Sequence, residues 1–225
     1  MGARACAWIG GALFVASLAV CVWSYAVTMG GHAPFAGWRP LLVDASLVTV
    51  FACHHSLFAR ERVKAWLSRS VPAATLRSVY VWVASLLLIV VCRLWVPIGG
   101  ELYSTTGISA VALVAAQLSG VWIAALGVAR IDPLELAGIR QAARVQTLQV
   151  TGPYRWVRHP LYLGWFLMVF GAVRMTGDRL AFAVVTTLYL VVAIPWEERS
   201  LRQSFGEAYA AYMRDVRWRM VPFIY

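Results

Sequence analysis

Apolar residues gather in six runs, at about Trp8–Met29, Pro40–Ala59, Val79–Val96, Ile108–Ala129, Leu161–Val173 and Leu180–Trp196, with short polar stretches between them. A bilayer core about 30 Å thick needs roughly 20 helical residues to cross, so the first four runs predict transmembrane helices. The fifth rises only about 20 Å at 1.5 Å per residue. It pairs with the sixth as a tight hairpin turning at Arg174–Arg179. Six spans, or five with a re-entrant hairpin, both fit this pattern. Beyond Trp196 the period changes. Leu201, Phe205, Tyr209 and Tyr212 share one face of a helix predicted from Glu197 to about Arg214, with polar residues elsewhere, as for a helix lying at a membrane surface.

Composition moves this from a pattern to a class. Of 225 residues, 61% are hydrophobic and 13% charged, against roughly 45–50% and 25% in soluble domains. The chain reads as an all-α polytopic integral membrane protein, with a four-helix N-terminal region (residues 1–130) and a C-terminal core (residues 131–225). The first helix reads as a retained anchor, its apolar run being longer than a signal-peptide core. The formal charge is +10, from 20 Lys+Arg and 10 Asp+Glu. A nucleic-acid domain clusters its basic residues on a water-exposed face. Here they fill the gaps between apolar runs, which excludes nucleic acid and points to lipid headgroups. Arg60, Arg62, Lys64, Arg69 and Arg77 occupy one such gap, Arg130, Arg140, Arg144, Arg155 and Arg158 the next alternate one, and Arg199, Arg202, Arg214, Arg217 and Arg219 the tail. Counting six crossings puts these on one side with both termini, and the positive-inside rule makes that side cytoplasmic. Cys6, Cys21, Cys53 and Cys92 lie in or beside apolar runs without C-x-x-C pairing; they read as packing residues, and no metal ligand set is predicted.

Candidate chemistry concentrates in Thr151–Gly164. Gly152-Pro153 predicts a turn, and Pro160 suits the first turn of a helix, where its missing N–H is harmless. Arg158 and His159 then sit at a membrane-helix N-terminus, which favours anionic groups, with Tyr162 on the same face as His159. The second constellation is Glu197-Glu198, the only adjacent acids in the chain, at the end of the last apolar run. Ionisable groups there require a partner: either Arg199 or Arg202 in an interfacial network, or a cationic ligand. The hairpin returns both glutamates to the face that carries Arg158 and His159.

These residues carry a resemblance. Gly152-Pro153-Tyr154-x-x-Val157-Arg158-His159-Pro160-x-Tyr162-x-Gly164, followed by Glu197-Glu198-x-x-Leu201-x-x-x-Phe205-Gly206-x-x-Tyr209-x-x-Tyr212, resembles the C-terminal core of the isoprenylcysteine carboxyl methyltransferase and phospholipid methyltransferase superfamily. The match spans about a third of the chain. His54-His55-Ser56-Leu57-Phe58-Ala59-Arg60 and Gly138-Ile139-Arg140-Gln141 are similar to a bacterial branch, the membrane thiol S-methyltransferases that methylate methanethiol. Leu134-Glu135-Leu136-Ala137 departs from that branch's pattern, and Ala193-Ile194-Pro195-Trp196 lacks the arginine of the eukaryotic isoprenylcysteine enzymes.

The resemblance implies a membrane enzyme that uses S-adenosylmethionine without a Rossmann domain. The cofactor would be held by Arg158, His159, Tyr162, Glu197, the turn Gly152, Pro153 and Tyr154, and Gln141 from the preceding loop. Glu198 or His159 would serve as base for a thiol, since the thiolate is the nucleophile. His54 and His55 are acceptor-side candidates. A small or lipophilic acceptor would enter from the lipid bilayer of a bacterial cytoplasmic membrane, in the order thiol, prenyl-cysteine, phospholipid amine, small carboxylate. Oligomeric state stays open. Two competing readings are an NADPH-dependent reductase of sterol-reductase type and a non-catalytic haem- or metal-binding membrane protein. The reductases, however, resemble Arg-His-x-x-Tyr without the proline and lack the acidic pair. For the second, adjacent histidines point about 100° apart on a helix and make poor joint ligands.

Overall fold

The computed structural model describes residues 3–58, 60–69, 73–130, 134, 137–140 and 147–225. The chain divides into two compact units, residues 1–101 with 132–143 and 176–178, and residues 102–131 with 144–175 and 179–225. The segment before the C-terminal core belongs to the first unit, and the fourth apolar run to the second.

In the first unit, α1 (Ala3–Trp23) continues as a π-helical turn to Thr28 and is followed by α2 (Arg39–Phe58), α3 (Glu61–Leu67) and α4 (Ala73–Arg93). α4 is the central element, packed by both α1 and α2. Trp82 on α4 lies over Gly10 and donates its indole N–H to the Cys6 carbonyl at 3.1 Å. The loop at Gly138 docks on α4, where the Ser78 hydroxyl donates to the Gly138 carbonyl at 3.2 Å. Asp178 is buried and accepts three hydrogen bonds of 2.8 Å, from the Trp95 indole and from the backbone N–H groups of Ile98 and Gly99.

In the second unit, β1 (Glu101–Ser104) leads into α5 (Gly107–Val128), and a 3-10 turn at Gly152–Arg155 precedes α6 (Pro160–Phe170). β2 (Arg174–Thr176) pairs with β1 in a two-stranded sheet. α7 (Gly177–Phe205) and α8 (Glu207–Asp215) complete it. α5 and α6 pack backbone to backbone through Gly120 and Gly164: a Cβ on Gly164 would stand 2.7 Å from the Gly120 carbonyl oxygen. Gln117 on α5 reinforces the contact, donating to the Met168 carbonyl at 2.9 Å.

Among the described residues, five helices are long and apolar enough to cross a membrane: residues 5–28, 39–58, 75–93, 107–128 and 177–205. Large apolar side chains point outward along them, as on α5, where Ile108 is 89% exposed and Trp122 66%. On a soluble protein such faces would drive aggregation; in a bilayer lipid covers them. The chain is a multi-pass membrane protein. Its short helix, α6, rises about 16 Å, about half the hydrocarbon thickness.

Two local expectations change. The predicted turn Arg174–Arg179 is a strand followed directly by a helix, because β2 pairs with β1 and α7 begins at Gly177. The single tail helix from Glu197 to Arg214 is two helices. Gly206, at φ 53°, adopts a positive-φ conformation that favours glycine, ends α7 and redirects the chain into α8. The aromatic face of α8 is covered by protein: Tyr209 and Tyr212 form a core with Val216, packed by Leu148, Tyr154, Leu201, Phe205 and Met213.

Candidate active site

The site lies wholly within the second unit and is built from the start of α6, the end of α7 and the strand-like segment after α8. Pro160 opens α6, and the His159 carbonyl accepts the N–H groups of Tyr162 and Leu163. The segment after α8 straps this helix start down: the N–H of Arg158 donates to the Trp218 carbonyl at 2.9 Å, and that of His159 to the Arg219 carbonyl at 2.8 Å. The N–H groups of the N-cap and of the residue before it are thus used by the protein itself.

Arg158 is buried, and its Nε and Nη1 are committed. Its Nε donates to Glu198 Oε1 at 2.7 Å, and its Nη1 to the carbonyls of Val216 at 2.7 Å and Arg217 at 2.9 Å. The second oxygen of Glu198 lies 3.3 Å from Arg219 Nε. Glu198, itself buried, has a guanidinium on each oxygen, the arrangement that makes a buried carboxylate tolerable.

Glu197 is different. Its side chain is 46% exposed, and Oε2 accepts the Tyr162 hydroxyl at 2.8 Å. His159 stands between the two acids, Nδ1 3.5 Å from Glu197 and Nε2 3.6 Å from Glu198, and its ring stacks on Tyr162 at 5.3 Å. Neither separation is a hydrogen bond, and the buried Nε2 has no partner among the described residues. The hydroxyl of Tyr209, 1% exposed, is also unpartnered. Burial pushes its phenol up to about 12, with the neighbouring charge of Glu198 adding to the effect.

The turn that precedes α6 closes one side. Gly152 is left-handed at φ 62°, and the Arg130 guanidinium lies against it. Pro153 is buried, and the Tyr154 carbonyl accepts the Tyr212 hydroxyl at 2.6 Å. The Tyr154 phenol is raised, by burial and then by the charge of Glu197.

The second unit thus brings together Gly152, Pro153, Tyr154, Arg158, His159, Tyr162, Glu197 and Glu198. Gln141 falls outside the described residues. His54 and His55 belong to the first unit. There the Tyr80 hydroxyl bonds His55 Nδ1 at 2.9 Å, and His54 stacks between Phe58 and Tyr80 with its Nδ1 unpartnered. Sequence reasoning missed Arg219, whose basic run Arg217-Trp218-Arg219 reads only as a membrane-side charge, and the hydroxyl of Tyr209.

Comparison with known proteins agrees with this geometry. The phospholipid methyltransferase family profile matches residues 138–208, the segment that holds most of the site. A methanethiol S-methyltransferase of Crocosphaera subtropica is 37% identical over 193 residues, 82% of this chain and 75% of the relative. Methanethiol S-methyltransferase 2 of Bradyrhizobium diazoefficiens is 36% identical over 78% of this chain and 71% of its own. The Pseudomonas deceptionensis enzyme of the same name is 35% identical over 81% and 74%. No solved structure matches. The reductase and haem-protein readings are not favoured. With identity at this level running far beyond the acidic pair and the Arg-His-Pro turn, the chain belongs to the family of these membrane methyltransferases and is itself a methyltransferase.

Proposed function

We propose that this methyltransferase transfers the methyl group of S-adenosylmethionine to a small thiol, from a site that opens on the cytoplasmic side of a bacterial membrane. The acceptor class is carried over from the named activity of the relatives. The cytoplasmic orientation is supported by the arginine-rich connections of the sequence. The observation that carries the reading is the cluster Arg158–Glu198–His159–Glu197–Tyr162, where a saturated carboxylate lies beside a half-exposed one and an imidazole nitrogen without a partner.

These residues fit the donor. A half-exposed carboxylate suits an amine or a ribose hydroxyl, and an unpaired imidazole nitrogen suits a hydrogen-bonding group of the ligand. Tyr162, flat against His159 and bonded to Glu197, offers a ring face. When bound, S-adenosylmethionine supplies an electrophilic methyl on a sulfonium, which needs no metal. The chain's task is to align donor and acceptor and exclude water. Arg158 acts as the scaffold of the site, because its Nε and Nη1 are taken by Glu198 and two carbonyls. Glu197 is the ligand-binding acid.

A thiol must lose its proton as the S–CH3 bond forms and the sulfonium C–S bond breaks. Glu198, with cations on both oxygens, is a poor acceptor, so the proton goes to His159 at Nδ1, the ring nitrogen beside half-exposed Glu197. His54 keeps an acceptor-side assignment on its chemistry alone, an imidazole whose Nδ1 has no partner among the described residues; His55 shares it as its neighbour.

Glu197→Gln and His159→Ala are expected to abolish binding of labelled S-adenosylmethionine to detergent-purified protein while leaving its helical circular dichroism intact. Unchanged affinity in both would overturn the site. Mass-spectrometric search for methylated thiols, amines and carboxylates in a competition panel identifies the acceptor; methylation of the amine or carboxylate without the thiol would overturn the acceptor class.

A further inference from the structure

Tyr209 and Tyr212 sit three residues apart on α8, face the same core and are both buried. Their hydroxyls differ. Tyr212 donates to the Tyr154 carbonyl at 2.6 Å, whereas Tyr209 has no partner among the described residues. Phenylalanine would fill the same volume at 209 without leaving a polar group unpaired, and an unpaired buried hydroxyl is a standing cost to the fold.

A second unpaired group borders the same carboxylate. His159 Nε2, buried, is 3.6 Å from Glu198 Oε1 without hydrogen bonding it. Tyr209 is close enough to Glu198 and Arg158 for both charges to act on its phenol. Two buried polar atoms from different helices, α6 and α8, therefore border one ion pair; the Arg158 guanidinium approaches the Tyr209 hydroxyl, but neither atom has a hydrogen-bond partner at ordinary distance among the described residues. Cores leave polar atoms unpaired rarely, and two beside one ion pair call for an explanation, of which a bound group that supplies the missing bonds is one.

We propose that the Tyr209 hydroxyl is a ligand-binding group of this site, which hydrogen-bonds the amino-acid end of the bound methyl donor together with His159 Nε2. The assignment rests on the reading of the site as the S-adenosylmethionine site and adds to it a residue from the tail. The amino-acid end is chosen because Arg158, Glu197, Glu198 and Arg219 form an ionic cluster, suited to a zwitterion, while an adenine ring requires flat apolar walls.

The test compares wild-type full-length protein with Tyr209→Phe and Tyr212→Phe in detergent. Equilibrium binding is measured for S-adenosylmethionine, S-adenosylhomocysteine and 5′-methylthioadenosine, which lacks the amino-acid end, and melting is followed without ligand. Tyr209→Phe is expected to weaken the first two ligands by about tenfold, the worth of one good hydrogen bond, to leave the third unchanged, and to melt no lower than wild type. Tyr212→Phe is expected to melt lower and bind all three as before. Unchanged S-adenosylmethionine affinity in Tyr209→Phe overturns the proposal. So does equal weakening of all three ligands, or a Tyr209→Phe protein that melts below wild type, because the hydroxyl is then structural. Wild-type protein that binds none of them overturns the function proposed above instead.

Discussion

Asp178 of the first unit and the pair Glu197–Glu198 of the second are buried or half-buried acids at the margin of apolar helices, and they are treated in opposite ways. Asp178 accepts three fixed donors at 2.8 Å, two of them backbone N–H groups that no conformational change of a side chain can withdraw. Around Glu198 two guanidinium groups leave an imidazole nitrogen and a phenol hydroxyl unpaired, and Glu197 stays half in solvent. A carboxylate saturated by the chain holds the chain together. One surrounded by unused donors and acceptors is arranged for something else.

The largest expected break of this comparison is Asp178→Ala. It strands three buried donors, which at about 1–3 kcal/mol each amounts to at least about 3 kcal/mol. Thermal melts in detergent should show a protein that fails to fold or melts far below wild type, whereas Glu197→Gln should melt normally. Similar melts for the two would erase the distinction. Next comes Gly164→Ala. Its Cβ would stand 2.7 Å from the Gly120 carbonyl oxygen, and overpacking of this kind costs about 1–3 kcal/mol. Because α6 carries His159 at its start, stability and S-adenosylmethionine affinity should fall together, in contrast with Tyr209→Phe, where only affinity should. The smallest effect is on pH dependence. The Tyr209 phenol ionises at about 12 in the folded protein against 10.0 ordinarily, so its contribution to stability is whole below pH 10 and is lost as the pH rises from there to 12. The melting temperature of Tyr209→Phe should fall less steeply than that of wild type across this window.

Run length and the Arg-His-Pro and Glu-Glu motifs made most of the helices and the site's side chains legible from sequence. What was hidden is physical in kind. The acceptors for Arg158 and for two N–H groups are the carbonyls of residues 216–219, and a main-chain carbonyl has no residue type to announce it. Asp178, in a stretch that reads as a polar turn, gave no sign of its three donors. The period of Leu201, Phe205, Tyr209 and Tyr212 identified an apolar face but could not tell lipid from protein as its cover. Gly206 after Phe205 was the available signal for the break between α7 and α8.

The strap over Arg158 and His159 has a consequence for biosynthesis. A ribosome that has delivered the chain as far as Trp196 has made every apolar helix to that point, including α6 with Arg158 and His159, but neither member of the acidic pair nor the carbonyls that grip Arg158. The candidate site is therefore completed only when the segment after α8 has been made, later than the helix start that it grips.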